Sequence, residues 1–353
     1  MSEVRIAFFD AKPYDKKSFD KANEKFGFAI TYLEARLDAR SAELAHGADA
    51  VCAFVNDRVD AEAAAILEHG GIKLVALRCA GYNNIDLKAV WQKIHVVRVP
   101  AYSPYAVAEH AAALLLTLTR HIHQAYNRVR EGNFLLNGLI GRDLHDKYIG
   151  IVGTGKIGKI ASAIFRGFGM RVLAYDKFPD EAWAKNTGAV YVPLEELCEK
   201  SDVISLHSPL TPETRHLINE RLLSLMKHDV VIINTGRGAL IDTKALVTAL
   251  KKGHIGGAGL DVYEEEEGYF FEDWSAVAIK DDVLARLLTF PNVIITGHQA
   301  FFTSEALGAI ADTTLANIKG YFEQNALPNE ICYQCGGKEG GQSCAKEKSG
   351  RCW

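Results

Sequence analysis

The sequence predicts an α/β protein made of two doubly wound parallel-sheet domains, on three observations. Short Val- and Ile-rich runs alternate with helical patterns, which is the mark of βαβ units. Two such series follow one another along the chain, and the second opens on a glycine pattern set between a strand and a helix. A length of 353 residues, about twice that of an ordinary domain, agrees with two cores rather than one.

The first series places strands at Val4 to Asp10, Phe28 to Leu33, Asp49 to Val55, Ile72 to Leu77 and His95 to Val99, with helices such as Ala61 to His69 between them. A long helix follows, with Ser103 as N-cap and Pro104 at its first helical position, running through Ala111 to Leu116 towards Arg130. Its Ala/Leu composition predicts burial on several sides. The second series holds strands at Tyr148 to Val152, Arg171 to Tyr175, Val190 to Val192, Asp202 to Leu206, Val230 to Asn234, Ala258 to Asp261 and Val293 to Thr296, enough for a sheet of six or seven strands. One more helix, roughly Ser304 to Gln324, precedes a polar Gly/Lys/Cys tail from about Pro328.

With 48% hydrophobic and 24% charged residues the chain falls outside the disordered, collagen-like and coiled-coil classes. Its 40 Lys and Arg against 44 Asp and Glu give a net charge of −4, without the basic surplus that nucleic acid binding requires. The longest uncharged apolar stretch, His110 to Thr119, is about half a bilayer span. Met1 to Glu3 runs directly into a core-like strand rather than a signal segment, so a cytoplasmic protein with no membrane partner is expected. Cys52, Cys79 and Cys198 are scattered singly, whereas Cys332, Cys335, Cys344 and Cys352 crowd into the tail. Four thiolates could hold a tetrahedral zinc. The later spacings lack a second close pair, however, so the expectation is a flexible extension with reducible thiols and no metal.

Gly153-Thr154-Gly155-Lys156-Ile157-Gly158 fits G-x-G-x-x-G, a weak pattern until its context is added. It follows the apolar strand ending at Val152 and opens a helical pattern from Ile160, as a dinucleotide site requires. Gly153 would allow the tight turn, Gly155 the approach of a pyrophosphate to the backbone, and Gly158 close helix-to-strand packing, with the phosphates at the helix N-terminus. Asp176, 18 residues after Gly158, can accept hydrogen bonds from ribose hydroxyls and would repel a 2′-phosphate, which favours NAD over NADP. Lys177 beside it would soften that discrimination.

A nicotinamide enzyme acting on a 2-oxo acid needs a cation for the carboxylate, an acid/base for the carbonyl oxygen and a group that orients the acid/base. Arg237, in the turn after the strand Val230 to Asn234, offers the cation at the carboxyl edge of the sheet. His298, at the end of the strand Val293 to Thr296, offers the acid/base on the same edge. The run Glu264 to Glu267 offers carboxylates, and spacing leaves open which of them matters. Singly, each has a plainer reading: a satisfied strand-end histidine, a structural ion-pair arginine, a solvated acidic loop.

Taken with His207 to Thr214, Asn234 to Gly238, Gly259 to Tyr263 and Gly297 to Ala300, the fingerprint closely resembles the D-isomer-specific 2-hydroxyacid dehydrogenases, in the right order and over nearly the whole chain to about Glu330. Arg78 to Asp86, Val99 to Pro104 and Phe270 to Asp273 look most like the fermentative D-lactate dehydrogenases. The resemblance implies a discontinuous, flavodoxin-like substrate domain from residues 1–101 and 299–330. It also implies a Rossmann NAD-binding domain from 102–298, an active site in the cleft between them, and a tail at 331–353 outside both. It selects Glu266 as the catalytic glutamate, His298 as acid/base and Arg237 as ligand of the carboxylate and keto oxygen. It further implies that backbone N–H groups near Ala80 and Gly81 hold the substrate carboxylate, that Tyr102 closes over it and that Phe301 walls the pocket. Lys156, Ile157, Asp176, Pro209, Thr214, Thr235 and Asp261 match cofactor-contact positions. Ser208 and Gly236 depart from residues common in the family, without removing a catalytic group.

The implied reaction is reversible reduction of pyruvate to D-lactate with NADH, by a homodimer through the cofactor domain or a higher homo-oligomer. A dehydrogenase for bulkier 2-oxo acids, such as phenylpyruvate or 2-oxoisocaproate, is the nearest alternative. An NAD-sensing binding protein is the more distant one, disfavoured because Arg237, Glu266 and His298 are all present.

Overall fold

The computed structural model describes residues 3–266, 268–324, 326–334 and 350–353. The chain divides into two compact units, Met1–Ser103 with Thr303–Trp353, and Pro104–Phe302. The first carries β1 (Arg5–Phe8), β2 (Ala29–Tyr32), β3 (Ala50–Ala53), β4 (Leu74–Leu77) and β5 (His95–Val97). The second carries β6 (Tyr148–Val152), β7 (Arg171–Tyr175), β8 (Val190–Tyr191), β9 (Val203–Leu206), β10 (Val230–Asn234), β11 (Ile255–Leu260) and β12 (Val293–Ile295). The chain then returns to the first unit for β13 (Glu330–Ile331).

The first sheet has the order β13-β5-β4-β3-β1-β2, the doubly wound 2-1-3-4-5 arrangement with one added edge strand. β3 and β4 are buried along their whole length, so they read in sequence as unbroken apolar runs rather than alternating ones. The added strand, β13, pairs antiparallel with β5, which makes this sheet mixed rather than wholly parallel.

The second sheet has the order β12-β11-β10-β9-β6-β7-β8, parallel throughout, and reverses direction between β6 and β9. Its strands supply alternate residues to two cores. Val231 and Ile233 pack with Ala111, Leu115 and Phe165 on one face, Val230 and Ile232 with Leu206 and Leu246 on the other. Leu115 is fully buried, and its truncation to Ala would cost about 2–5 kcal/mol.

The long helix expected from Ser103 to Arg130 is two helices, Pro104–Thr119 and Ile122–Arg130. His121 adopts a left-handed φ of 52°, and the Thr119 carbonyl accepts from Arg142 N–H at 3.1 Å, so the first helix ends there. The second helix buries none of its residues.

The tail also differs from a flexible extension where it is described. Gly350 carbonyl accepts from Leu327 N–H at 2.9 Å, Cys352 N–H donates to Glu330 Oε2 at 2.5 Å, and the Trp353 indole stacks on His95 at 3.9 Å. Cys332 and Cys352 are buried, while Cys335 and Cys344 lie outside the described residues.

Candidate active site

The glycine turn leaves β6 at the sheet's switch point. Gly153 has φ 96°, and a Cβ there would meet the backbone of His207 and Ser208 at 2.7 Å. A Cβ on Gly158 would collide with the Gly153 carbonyl, so the helix Lys156–Gly167 can lie this close to β6 only with glycine there. At Gly155, by contrast, a Cβ would meet nothing within 4 Å. The open space lies at the helix N-terminus, where Lys156 and Ile157 begin the first turn and backbone N–H groups lack intrahelical acceptors. Asp176, just beyond β7, accepts from Thr154 N–H at 2.6 Å and Thr154 Oγ1 at 3.1 Å, which ties it to the glycine turn. Thr235 is buried with no partner for its hydroxyl among the described residues, an orphan donor that suits a bound ligand. These residues fit a dinucleotide. Thr214 is engaged locally instead: its hydroxyl donates to the Pro209 carbonyl at 2.7 Å and accepts from Thr211 N–H.

Arg237 follows β10, whose last residue shapes the turn: Asn234 accepts from Gly236 N–H at 3.0 Å and donates to the Arg237 carbonyl at 2.9 Å. Gly238 lets this turn lie against the segment after β11, since a Cβ there would overlap the Tyr263 backbone. His298 lies beyond β12 on the same carboxyl edge, in a left-handed conformation with φ 54°. Its Nδ1 lies 2.9 Å from Glu266 Oε1, and Glu266 Oε2 accepts from Tyr263 N–H at 3.0 Å. Both side chains are about a quarter exposed. Glu264 serves another purpose, accepting from Arg215 at 2.9 Å and His216 at 2.6 Å. Glu267 lies outside the described residues.

Asp261, expected among the cofactor contacts, is fully buried and faces its own chain. Its oxygens accept from Thr296 Oγ1 at 2.5 Å, Gln299 N–H at 2.9 Å and Ala300 N–H at 2.8 Å, and its carbonyl accepts from His298 N–H at 2.8 Å. The carboxylate therefore clamps the loop that carries His298, and His110 Nε2 lies 3.4 Å away. His207, beside the Gly153 turn, is pushed down to about 4 by desolvation, so it stays neutral at ordinary pH.

In the first unit Ala80 and Gly81 follow β4 in a half-buried turn, and their N–H groups have no acceptor among the described residues. Two adjacent free donors of this kind form an anion-binding concavity. Tyr102 is half-buried ahead of the helix Pro104–Thr119, and Phe301, in the second unit, is nearly buried against Phe302.

Sequence reading missed Arg78, which is 1% exposed between the rings of Phe8 (4.4 Å) and Phe54 (4.7 Å). It donates to the Asp10 carbonyl at 2.9 Å and faces the carboxylates of Asp15 (3.6 Å) and Asp57 (4.0 Å). Burial raises the Asp15 carboxyl and pushes Asp57 up to about 6, against the pull of the guanidinium. An arginine inside an apolar strand end, with acids ending the neighbouring strands, was the available signal.

Among the described residues no helix is long and apolar enough to cross a membrane. Residues 112–300 match the model of the D-isomer specific 2-hydroxyacid dehydrogenase NAD binding domain. The chain is 53% identical over 330 residues to 2-hydroxyacid dehydrogenase homolog 1 of Schizosaccharomyces pombe, covering 93% of this chain and 99% of that one. Among solved structures, the apo form of D-lactate dehydrogenase from Escherichia coli matches with TM-score 0.86 and 47% identity, over 93% of this chain and all of that one. The pyruvate reductase of Chlamydomonas reinhardtii matches with TM-score 0.89 and 43% identity, over 93% and 99%. With the nucleotide turn, the His298–Glu266 pair and Arg237 on one parallel sheet, and relatives matched along almost their whole length, the chain belongs to the NAD-dependent D-isomer-specific 2-hydroxyacid dehydrogenase family.

Proposed function

We propose that the protein is a D-lactate dehydrogenase that interconverts pyruvate and D-lactate in the cytoplasm, with the unit 104–302 as cofactor domain and the other as substrate domain. The observation that carries this reading is the hydrogen-bonded His298–Glu266 pair on the same sheet edge as Arg237. Bound NADH supplies the hydride. Gly153, Gly155, Gly158, Lys156, Ile157 and Thr235 would hold it, with Asp176 on the ribose.

Arg237 grips the substrate carboxylate and keto oxygen with a planar fork, and polarises the carbonyl. His298, its Nδ1 engaged by Glu266, presents Nε2 to the keto oxygen and donates a proton there. In the reverse direction the same nitrogen, neutral, takes the hydroxyl proton. Glu266 fixes the orientation of the ring. Ala80 and Gly81 N–H groups hold the carboxylate, with Tyr102 over it and Phe301 at the wall.

A homodimer is part of the reading. The segment around the helix Ile122–Arg130 exposes Tyr126, Phe134, Leu135, Leu136 and Ile140, large apolar side chains that a monomer would leave in water. Sedimentation should give twice the 38.8 kDa chain mass.

The functional test is a kinetic panel of 2-oxo acids with NADH, with chiral analysis of the product. Pyruvate should give the highest kcat/KM and D-lactate the product. A preference for phenylpyruvate or 2-oxoisocaproate would move the assignment to a bulkier substrate, and no turnover of any oxo acid would leave only a nucleotide-binding role.

A further inference from the structure

The turn proposed to bind the substrate carboxylate is held from behind. The Cys79 carbonyl accepts from Val99 N–H at 3.1 Å, and the Ala80 carbonyl accepts from Arg98 Nη1 at 2.8 Å. All peptide bonds here are trans, so each N–H points opposite to the carbonyl of its own peptide unit. Fixing the Cys79 and Ala80 carbonyls on the β5 side therefore aims the Ala80 and Gly81 N–H groups the other way, side by side. A cation on the Ala80 carbonyl also polarises that peptide and strengthens the Gly81 N–H as a donor.

Arg98 is itself fixed. Its N–H donates to the Asn329 carbonyl at 3.1 Å, its carbonyl accepts from Asn317 Nδ2 at 3.0 Å, and its guanidinium lies 5.3 Å from the centre of the Tyr82 ring. Among the described residues it has no carboxylate in ion-pair contact. Arg78, by contrast, sits among Asp10, Asp15 and Asp57. Among the described residues the half-buried charge of Arg98 is thus not neutralised.

We infer that Arg98 is a positioning residue for substrate recognition: its guanidinium, through the Ala80 carbonyl, aims and activates the Ala80 and Gly81 N–H pair and adds an uncompensated positive charge behind the carboxylate site. This rests on the assignment of that pair to the substrate carboxylate. Arg98 touches no reacting atom, so its contribution belongs to the affinity for a charged carboxyl group.

The test compares pyruvate with methyl pyruvate, which keeps the ketone and loses the charge. Arg98→Met should raise KM for pyruvate about 10–100-fold, the loss expected for a hydrogen bond to a charged group. It should leave kcat within a few-fold, the NADH Kd unchanged and methyl pyruvate turnover little altered, while Arg98→Lys recovers part of the affinity. Equal losses for both substrates, or none for either, would overturn the inference, the first outcome marking a purely structural role. Gly81→Pro, which deletes one N–H, separates the two levels of the argument. If it raises the pyruvate KM while Arg98→Met does not, only the role of Arg98 fails. If it leaves the pyruvate KM unmoved in a folded protein, the carboxylate assignment fails with it.

Discussion

The two units share an architecture and place their chemistry differently. In the unit 104–302 the groups proposed to react are side chains at the carboxyl edge of the sheet, Arg237 after β10 and His298 after β12, kept in reach of solvent. In the other, the edge after β4 offers backbone N–H groups, and its charged side chains, Arg78 and Arg98, turn inwards to hold the backbone. A side chain can donate a proton, change charge and recover, whereas a backbone amide cannot titrate and keeps its donor direction at any pH. Under the proposed function one unit serves reaction and the other fixed recognition.

That contrast can be broken by substitutions that should act on stability in one unit and on rate in the other. The largest effect is expected from Arg78→Met, which leaves Asp15 and Asp57 buried without their cation, at a cost of about 3–5 kcal/mol. Burial already raises the Asp15 and Asp57 carboxyls, the latter to about 6, so they take up protons as pH falls. Arg78 pulls both carboxyls down, so in the variant they take up protons at still higher pH; the loss should therefore be largest at alkaline pH and shrink as pH falls towards about 6, as urea midpoints across pH would record, and a loss that grew on acidification would reverse the argument.

Arg237→Lys should instead leave the melting temperature unchanged and lower kcat/KM by about 2–4 kcal/mol in transition-state terms, since a point charge cannot grip two oxygens as a fork does. Near wild-type turnover would remove Arg237 from the site. Glu266→Gln keeps an acceptor for His298 but deletes the charge, and should lower kcat for pyruvate reduction by about tenfold or more while the NADH Kd holds. An unchanged kcat would mean that the pair does not serve the reaction. The smallest effect is expected from Asp176→Ser, which should narrow a preference for NADH over NADPH by about tenfold, read as the ratio of the two kcat/KM values.

Much of this was legible because the signals were local. β6, β7 and β10 have the boundaries their apolar runs announce, and the glycine turn lies between strand and helix because Gly153 and Gly158 each meet a separate steric demand there. What stayed hidden was set by distant neighbours. Four consecutive glutamates look alike in sequence, yet Glu264 turns to Arg215 and Glu266 to His298. Asp261 looks like an exposed strand-end acid until Thr296, Gln299 and Ala300 close on it. The break at His121 and the docking of Trp353 on His95 likewise depend on partners far along the chain, Arg142 and β5, that no window of periodicity contains.

The left-handed backbone at His298 decides how that residue can be removed cleanly. A side chain with φ near 54° is tolerated best when it is Asn, Asp or His, while a β-branched replacement would push the end of β12 into another path. His298→Asn therefore deletes the imidazole and leaves the loop where Asp261 holds it. His298→Val would confound lost chemistry with a displaced backbone, and the two variants together separate proton transfer from position.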